Sequence, residues 1–147
     1  MNFKKKFKIG VLGLGYVGLP LALSFGKKFD VIGYDTNFKR IENLKKNIDN
    51  NKEATSLDFL KSKKIKFSNK DTELKSCNIF IVTVPTPINS RNIPDLKILK
   101  KASSTVGNFL KKRDIVIFES TVYPGATEEI CVPILEKNSN LKFNKDF

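Results

Sequence analysis

From Lys8 to Pro20 the chain reads KIGVLGLGYVGLP, a short apolar run that breaks into three glycines, Gly13-x-Gly15-x-x-Gly18, and then resumes as an apolar helical pattern. Such a stretch predicts strand, tight turn and helix. Gly13 permits the turn, Gly15 lets the backbone come close to a pyrophosphate, and Gly18 lets the helix pack closely on the strand. The N–H groups at the helix start, with the positive end of the helix dipole behind them, suit an anionic phosphate. A glycine triplet alone also fits a strand and helix that merely share a glycine-rich joint. Here a second apolar run, Val31 to Tyr34, ends on Asp35, which lies 22 residues after Gly13. A ribose-binding acid stands roughly 20 residues on in a dinucleotide fold.

At 147 residues the chain has the length of one domain, enough to bury about two thirds of its unfolded surface. It needs no disulfides. Its two cysteines, Cys77 and Cys131, have no CxxC or metal-like spacing, and with no histidine anywhere a zinc site or Ser-His pair is not expected. No metal is therefore expected, and a reduced, cytoplasmic setting fits best. The N-terminal MNFKKKFK precedes only a short apolar run, so neither a signal peptide nor a membrane span is expected. The formal charge of +12 invites a nucleic-acid reading. Nearly all of the excess is lysine, with three arginines, spread over predicted helix faces without interleaved aromatics. A solvated basic surface, able to concentrate an anionic substrate, accounts for it better than a specific nucleic-acid partner.

After the first strand, about Lys8 to Leu12, a helix is predicted to run to about Lys28, with Pro20 tolerated near its first turn. A second strand spans Asp30 to Asp35, and Phe38, Ile41, Leu44 and Ile48 form a helix stripe that the polar stretch Asn47 to Lys52 closes. A short helix around Leu57 to Leu60, a short edge strand at Ile65 to Ser68 and a brief helix capped by Asp71 or Thr72 follow. Asn78 to Val84 and Asp114 to Phe118 read as strands buried on both faces. Between them, three prolines in PTPINSRNIP make a loop, and Asp95 is expected to cap the helix that carries Leu96, Leu99, Ala102, Val106 and Phe109 to Leu110. Ala126 to Leu135 is predicted as the last helix, with Pro133 near its end. This alternation predicts a Rossmann-like, doubly wound parallel α/β sheet in a single domain. Ligands then bind beyond the C-terminal strand ends. The glycine loop, the Pro85-Thr86-Pro87 loop and the Glu119-Ser120-Thr121 turn are expected to converge there.

GVLGLGYVGLPLAL followed by GYD, VTVPTPIN, PDL and ESTVYPGATEE resembles the N-terminal domain of the nucleotide-sugar 6-dehydrogenases, the UDP-glucose/GDP-mannose dehydrogenase family. The resemblance runs from about Lys8 to Glu136, and GYVGLP, VPTP and STVYPG in this order are far more specific than the glycine triplet. ESTVYPG with TEE is most similar to the bacterial UDP-N-acetylhexosamine branch, which makes uronic acids for surface polysaccharides. What the resemblance implies is oxidation of a UDP-sugar C6 alcohol to a carboxylate, with two NAD⁺ consumed and a covalent step on a cysteine in a later glycine-rich segment. Residues 1–147 would then be the NAD-binding domain. The linking helix, the C-terminal sugar-binding domain and the homodimer contacts would lie outside them, leaving this piece without turnover of its own.

Carried over position by position, Gly13, Gly15 and Gly18 match the family's pyrophosphate loop, and Leu14, Tyr16 and Val17 would offer backbone N–H groups. Asp35 matches its ribose acid. Arg40 or Lys39 would approach the adenosine side, or else be a solvated helix charge. Val84, Pro85 and Thr86 match the loop that lies along the cofactor, with a hydroxyl cap on its own turn as the lesser alternative for Thr86. Thr121, with Ser120 beside it, matches the threonine near the nicotinamide that positions water for the hydrolytic half. Glu119 is either a catalytic carboxylate or a strand-end acid bonded locally. Cys77 and Cys131 match no family nucleophile. The alternatives are a cofactor domain of the β-hydroxyacid dehydrogenases and a nucleotide-binding module without chemistry.

Overall fold

The glycine turn leads from β1 (Lys8–Leu12) into α1 (Gly18–Gly26), and strands separated by helical segments follow. The structure is a computed structural model and describes residues 6–88 and 93–147. β2 (Asp30–Tyr34), α2 (Phe38–Lys45), α3 (Ser56–Lys61) and β3 (Ile65–Ser68) complete the first half. A 3₁₀ turn (Asp71–Ser76) precedes β4 (Ile79–Val82), α4 (Lys97–Gly107), β5 (Ile115–Phe118), a π-helical turn (Thr127–Cys131) and α5 (Val132–Ser139). All four strand pairings are parallel, in the order β3-β2-β1-β4-β5. This is the predicted doubly wound sheet, with β1 at its centre.

Alternate side chains of the inner strands enter two cores. Val11, Val31 and Ile81 pack on one face with Leu19 and Leu23 of α1 and Ile41 and Leu44 of α2. Leu12, Ile32, Phe80 and Val82 pack on the other with Leu99 and Val106 of α4 and Leu135 of α5. Each fully buried side chain of this size contributes about 1.5–3 kcal/mol, so helices on both faces are what keep the parallel sheet out of water.

Several boundaries differ from the predicted ones, each for a local reason. α2 stops at Lys45, before Ile48, because Asn47 turns left-handed at φ 59°, and Ile48 is left exposed. The turn at Asp71 is capped by neither predicted side chain. Asp95 does accept the Lys97 N–H at 3.0 Å, although α4 begins only at Lys97. Pro133 opens α5 instead of closing it: proline has no N–H to donate and crowds the preceding turn, and the chain widens into the π turn just before it. β5 is not buried on both faces, because it is the sheet's edge and Ile115 and Ile117 are 50% and 37% exposed. Of the proline loop, residues 89–92 lie outside the described residues. On either side of them Ile88 and Pro94 form an antiparallel bridge, and the Asp95 N–H donates to Pro87 O at 2.7 Å. Among the described residues no helix is long and apolar enough to cross a membrane.

Candidate functional site

Register brings the chemistry to one edge. Leu12 pairs with Tyr34 and with Val82, and Val82 pairs with Phe118. Gly13, Asp35, Thr83 and Glu119, each the residue after a strand end, therefore leave the sheet side by side.

At Gly13 the backbone turns at φ 94°, a conformation that a side chain would strain, and its N–H donates to Tyr34 O at 2.9 Å. A Cβ on Gly18 would lie 1.8 Å from Gly13 O and 2.5 Å from Thr83 Oγ1, so α1 can meet the turn only with glycine there. Gly15 differs from both, since a Cβ placed on it would meet nothing within 4 Å. That open side belongs to a cavity of about 430 Å³ lined by Gly13, Gly15, Asp35, Val84 and Pro85, with Ile98, Lys101 and Thr105 of α4 across from them. The first turn of α1 leaves N–H groups without intrahelical acceptors. An exposed backbone at a helix head, with an acid in the same cavity, fits the pyrophosphate and ribose of a dinucleotide.

Asp35 is already engaged inside the protein. Its Oδ2 accepts the Leu14 N–H at 2.8 Å and its Oδ1 accepts the Asn37 N–H at 2.9 Å, and each oxygen keeps lone-pair capacity for ribose hydroxyls. The Leu14 N–H is thus taken by Asp35 and not offered to a ligand, and the Leu14 side chain is buried in the core. Tyr16 and Val17 do stand exposed at the head of α1. Arg40 is not a solvated helix charge. Its side chain, 11% exposed, donates from Nε and Nη2 to Leu14 O at 3.0 and 2.9 Å and from Nη1 to Asp49 Oδ1 at 2.6 Å. It braces the glycine loop from behind.

On the other side, hydroxyls link β4 to β5. Ser120 Oγ donates to Val84 O at 2.7 Å, and Thr86 Oγ1 donates to Thr121 O. Both hydroxyls reach carbonyls beyond the end of the strand ladder. Thr86 therefore caps a loop 35 residues away and not its own turn. Thr86, Ser120 and Thr121 adjoin the cavity through Val84 without lining it. Glu119 is exposed, and its N–H extends the ladder to Val82 O at 2.9 Å. Thr83, not singled out from the sequence, donates its hydroxyl to Leu12 O and Gly13 O at 3.0 and 2.7 Å and so ties β4 to the glycine turn. A threonine in an apolar β run signals only strand propensity. Lys101 and Thr105 were likewise missed, because helical spacing marks Leu99, Ala102 and Val106 as the buried face and says nothing of a cavity beside it.

The cysteines are buried and unpaired. Burial pushes the Cys77 thiol up to about 11 and raises Cys131 as well, so neither supplies a thiolate near neutrality. Among the described residues no group of three metal-ligating side chains could hold an ion.

Residues 7–147 match the model of the UDP-glucose/GDP-mannose dehydrogenase family, NAD binding domain. UDP-N-acetyl-D-glucosamine 6-dehydrogenase of Pseudomonas aeruginosa is 54% identical over 143 residues, which cover 97% of this chain and 34% of that protein. Protein CapL of Staphylococcus aureus is 52% identical, over 95% of this chain and 32% of that protein. Among solved structures, the UDP-D-ManNAc dehydrogenase of Pyrococcus horikoshii superposes with a TM-score of 0.85 at 35% identity, over 96% of this chain and 34% of that one. The chain thus spans about a third of the length of the curated relatives it matches. Since the family match runs from Phe7 to Phe147, across the whole glycine-loop cavity, the chain belongs to the UDP-glucose/GDP-mannose dehydrogenase family and is its NAD-binding domain.

Proposed function

We propose that this domain serves an enzyme that oxidises the C6 alcohol of a UDP-N-acetylhexosamine to the uronate, for surface polysaccharide synthesis in the cytoplasm. The observation that carries this reading is the 54% identity, over 97% of the chain, to a UDP-N-acetyl-D-glucosamine 6-dehydrogenase. NAD⁺ supplies the hydride acceptor: conversion of the alcohol to the carboxylate uses one water and two NAD⁺ and releases two NADH and three protons.

The chain's own residues bind and orient. The backbone from Gly15 to Val17 and the head of α1 hold the pyrophosphate, and Asp35 takes the ribose hydroxyls while repelling a 2′-phosphate. Val84 and Pro85 flank the cofactor along the cavity wall. Thr121, fixed through its carbonyl by Thr86, orients water for the hydrolytic half, and Glu119, two residues before it, serves as the carboxylate that takes a proton. Both thiols here are buried and raised, and the family resemblance implies that the covalent nucleophile lies in a second, sugar-binding domain, which also builds the homodimer.

A chimera tests this, with residues 7–147 replacing the matching third of the P. aeruginosa relative. It is expected to reduce NAD⁺ with UDP-N-acetylglucosamine, and Thr121→Ala to lower kcat by about 100-fold or more, the lower end of the usual range for a group that assists proton transfer. The 147-residue chain alone should bind NAD⁺ without forming NADH. A chimera that binds NAD⁺ yet oxidises no UDP-N-acetylhexosamine would overturn the assignment of this domain to such an enzyme.

A further inference from the structure

The polar stretch between α2 and α3 holds an acid that the cofactor site does not itself touch. Asp49 has a side chain only 1% exposed, in a segment whose composition suggests nothing more than a solvated connection. Its Oδ1 accepts from Arg40 Nη1 at 2.6 Å and from the Asn51 N–H at 3.1 Å, and its Oδ2 accepts the N–H groups of Glu53 and Ala54 at 2.7 and 3.0 Å. Four donors fill its acceptor positions, so its orientation is fixed. Burial by itself would raise this carboxyl, but the Arg40 guanidinium and the three N–H groups outweigh it and hold the group below its ordinary value.

From Asp49 the chain of contacts runs inward. Arg40 turns two more of its N–H donors on Leu14 O, at 3.0 and 2.9 Å, while Asp35 holds the Leu14 N–H at 2.8 Å. The two peptide planes on either side of Leu14 are therefore gripped separately, one by each acid–base arm. Leu14 lies between Gly13, whose positive φ makes the turn, and Gly15, whose open side faces the cavity. Both glycines are conformationally permissive, and a loop built from them needs an outside constraint to stay in one shape. A buried ion pair adds little net stability once desolvation is counted, and its best-attested use is to select one arrangement among several.

We propose that Asp49 is a positioning residue for cofactor binding, acting through Arg40 to hold the Leu14 peptide and with it the face of the glycine loop that receives the pyrophosphate. This rests on the reading that the loop holds NAD⁺.

The experiment uses the 147-residue chain and its variants Asp49→Ala, Arg40→Ala and the double variant, with NAD⁺ affinity measured by calorimetry and the amide signals of Leu14 and Gly15 by NMR. Each single variant should weaken NAD⁺ binding about tenfold, the order of the cost of fixing one backbone residue anew. The double variant should bind no more weakly than Arg40→Ala, because the two residues act in series. Leu14 and Gly15 amides should shift or broaden in Asp49→Ala before any ligand is added. Effects that multiply in the double variant, or unaltered amides in folded Asp49→Ala, overturn the proposal. If Asp49→Ala does not fold, Asp49→Asn, which keeps the shape but loses the charge, carries the same comparison. Failure of the unsubstituted chain to bind NAD⁺ would strike the functional reading instead, and the amide signals would still report whether Asp49 acts on the loop.

Discussion

Around the glycine loop, the β2 side is held by ionised groups and the β5 side by neutral hydroxyls. Asp35 and Arg40 grip Leu14 from two directions, with Asp49 behind them, whereas Ser120 and Thr86 join β4 and β5 through one hydrogen bond each. Charge-assisted hydrogen bonds are roughly twice as strong as neutral ones, which contribute about 1 kcal/mol. The two sides also differ in cover. Val31 and Ile32 of β2 are buried on opposite faces, while Ile115 and Ile117 of β5 are partly open to solvent. The lesson is that the glycine-loop end of the site is preorganised within the domain, while the Thr121 end stands on an edge.

The sharpest way to break this comparison is at the point both sides share. Gly18→Val would drive a side chain into Gly13 O and Thr83 Oγ1, neither of which can withdraw without opening the turn. Overpacking of this severity is expected to cost at least about 3 kcal/mol, lowering the melting temperature by roughly 10 °C, and to abolish NAD⁺ binding. Thermal melting and calorimetry read it; a variant that melts with the parent and binds NAD⁺ would show the loop to be softer than described. The second test uses a pair of partners in the ladder, Ile81 of β4 and Ile117 of β5, which are 3% and 37% exposed. Ile81→Ala should cost about 2–5 kcal/mol in urea unfolding and Ile117→Ala less than about 1. Equal losses would mean that the β5 edge is covered in solution. The smallest effect concerns the ionised side alone. Calorimetry should show NAD⁺ binding tighter than NADP⁺, and Asp35→Ala, by removing hydrogen bonds to a charged group, should weaken NAD⁺ by about 1.5–3 kcal/mol and narrow the difference. Tighter binding of NADP⁺ by the unsubstituted chain would remove Asp35 from its assigned role.

How much of this was legible from residue order follows from how far each side chain acts. β1 is found where the apolar run predicts it, and the glycine positions follow from sterics within a few residues, so local pattern suffices. Asp35 is legible because strand, helix and strand have nearly fixed lengths. Arg40 is not, because its long side chain reaches Leu14 and Asp49 by a path that only the packed fold defines. The hydroxyls of Thr83, Thr86 and Ser120 bind carbonyls 35 or more residues away, beyond the reach of any periodicity. The apolar run of β5 looks the same whether it lies inside a sheet or at its edge, which is why its burial was overestimated. Pro133 was misplaced because a π turn leaves no mark in hydrophobic spacing.

The position of β1 also bears on the order in which the fold assembles. Ile9 pairs with Val31, 22 positions on, and with Ile79, 70 positions on. Closing the longer loop costs about 1 kcal/mol more chain entropy by the logarithmic scaling of loop length. The segment from β1 to β3 can therefore zip from near neighbours, with α1 packing over it, while β4 must diffuse back across nearly half the chain to find the free side of β1. Thr83, whose hydroxyl reaches the glycine turn from the end of β4, is then among the last contacts to form, and the nucleotide pocket closes as a late event of folding.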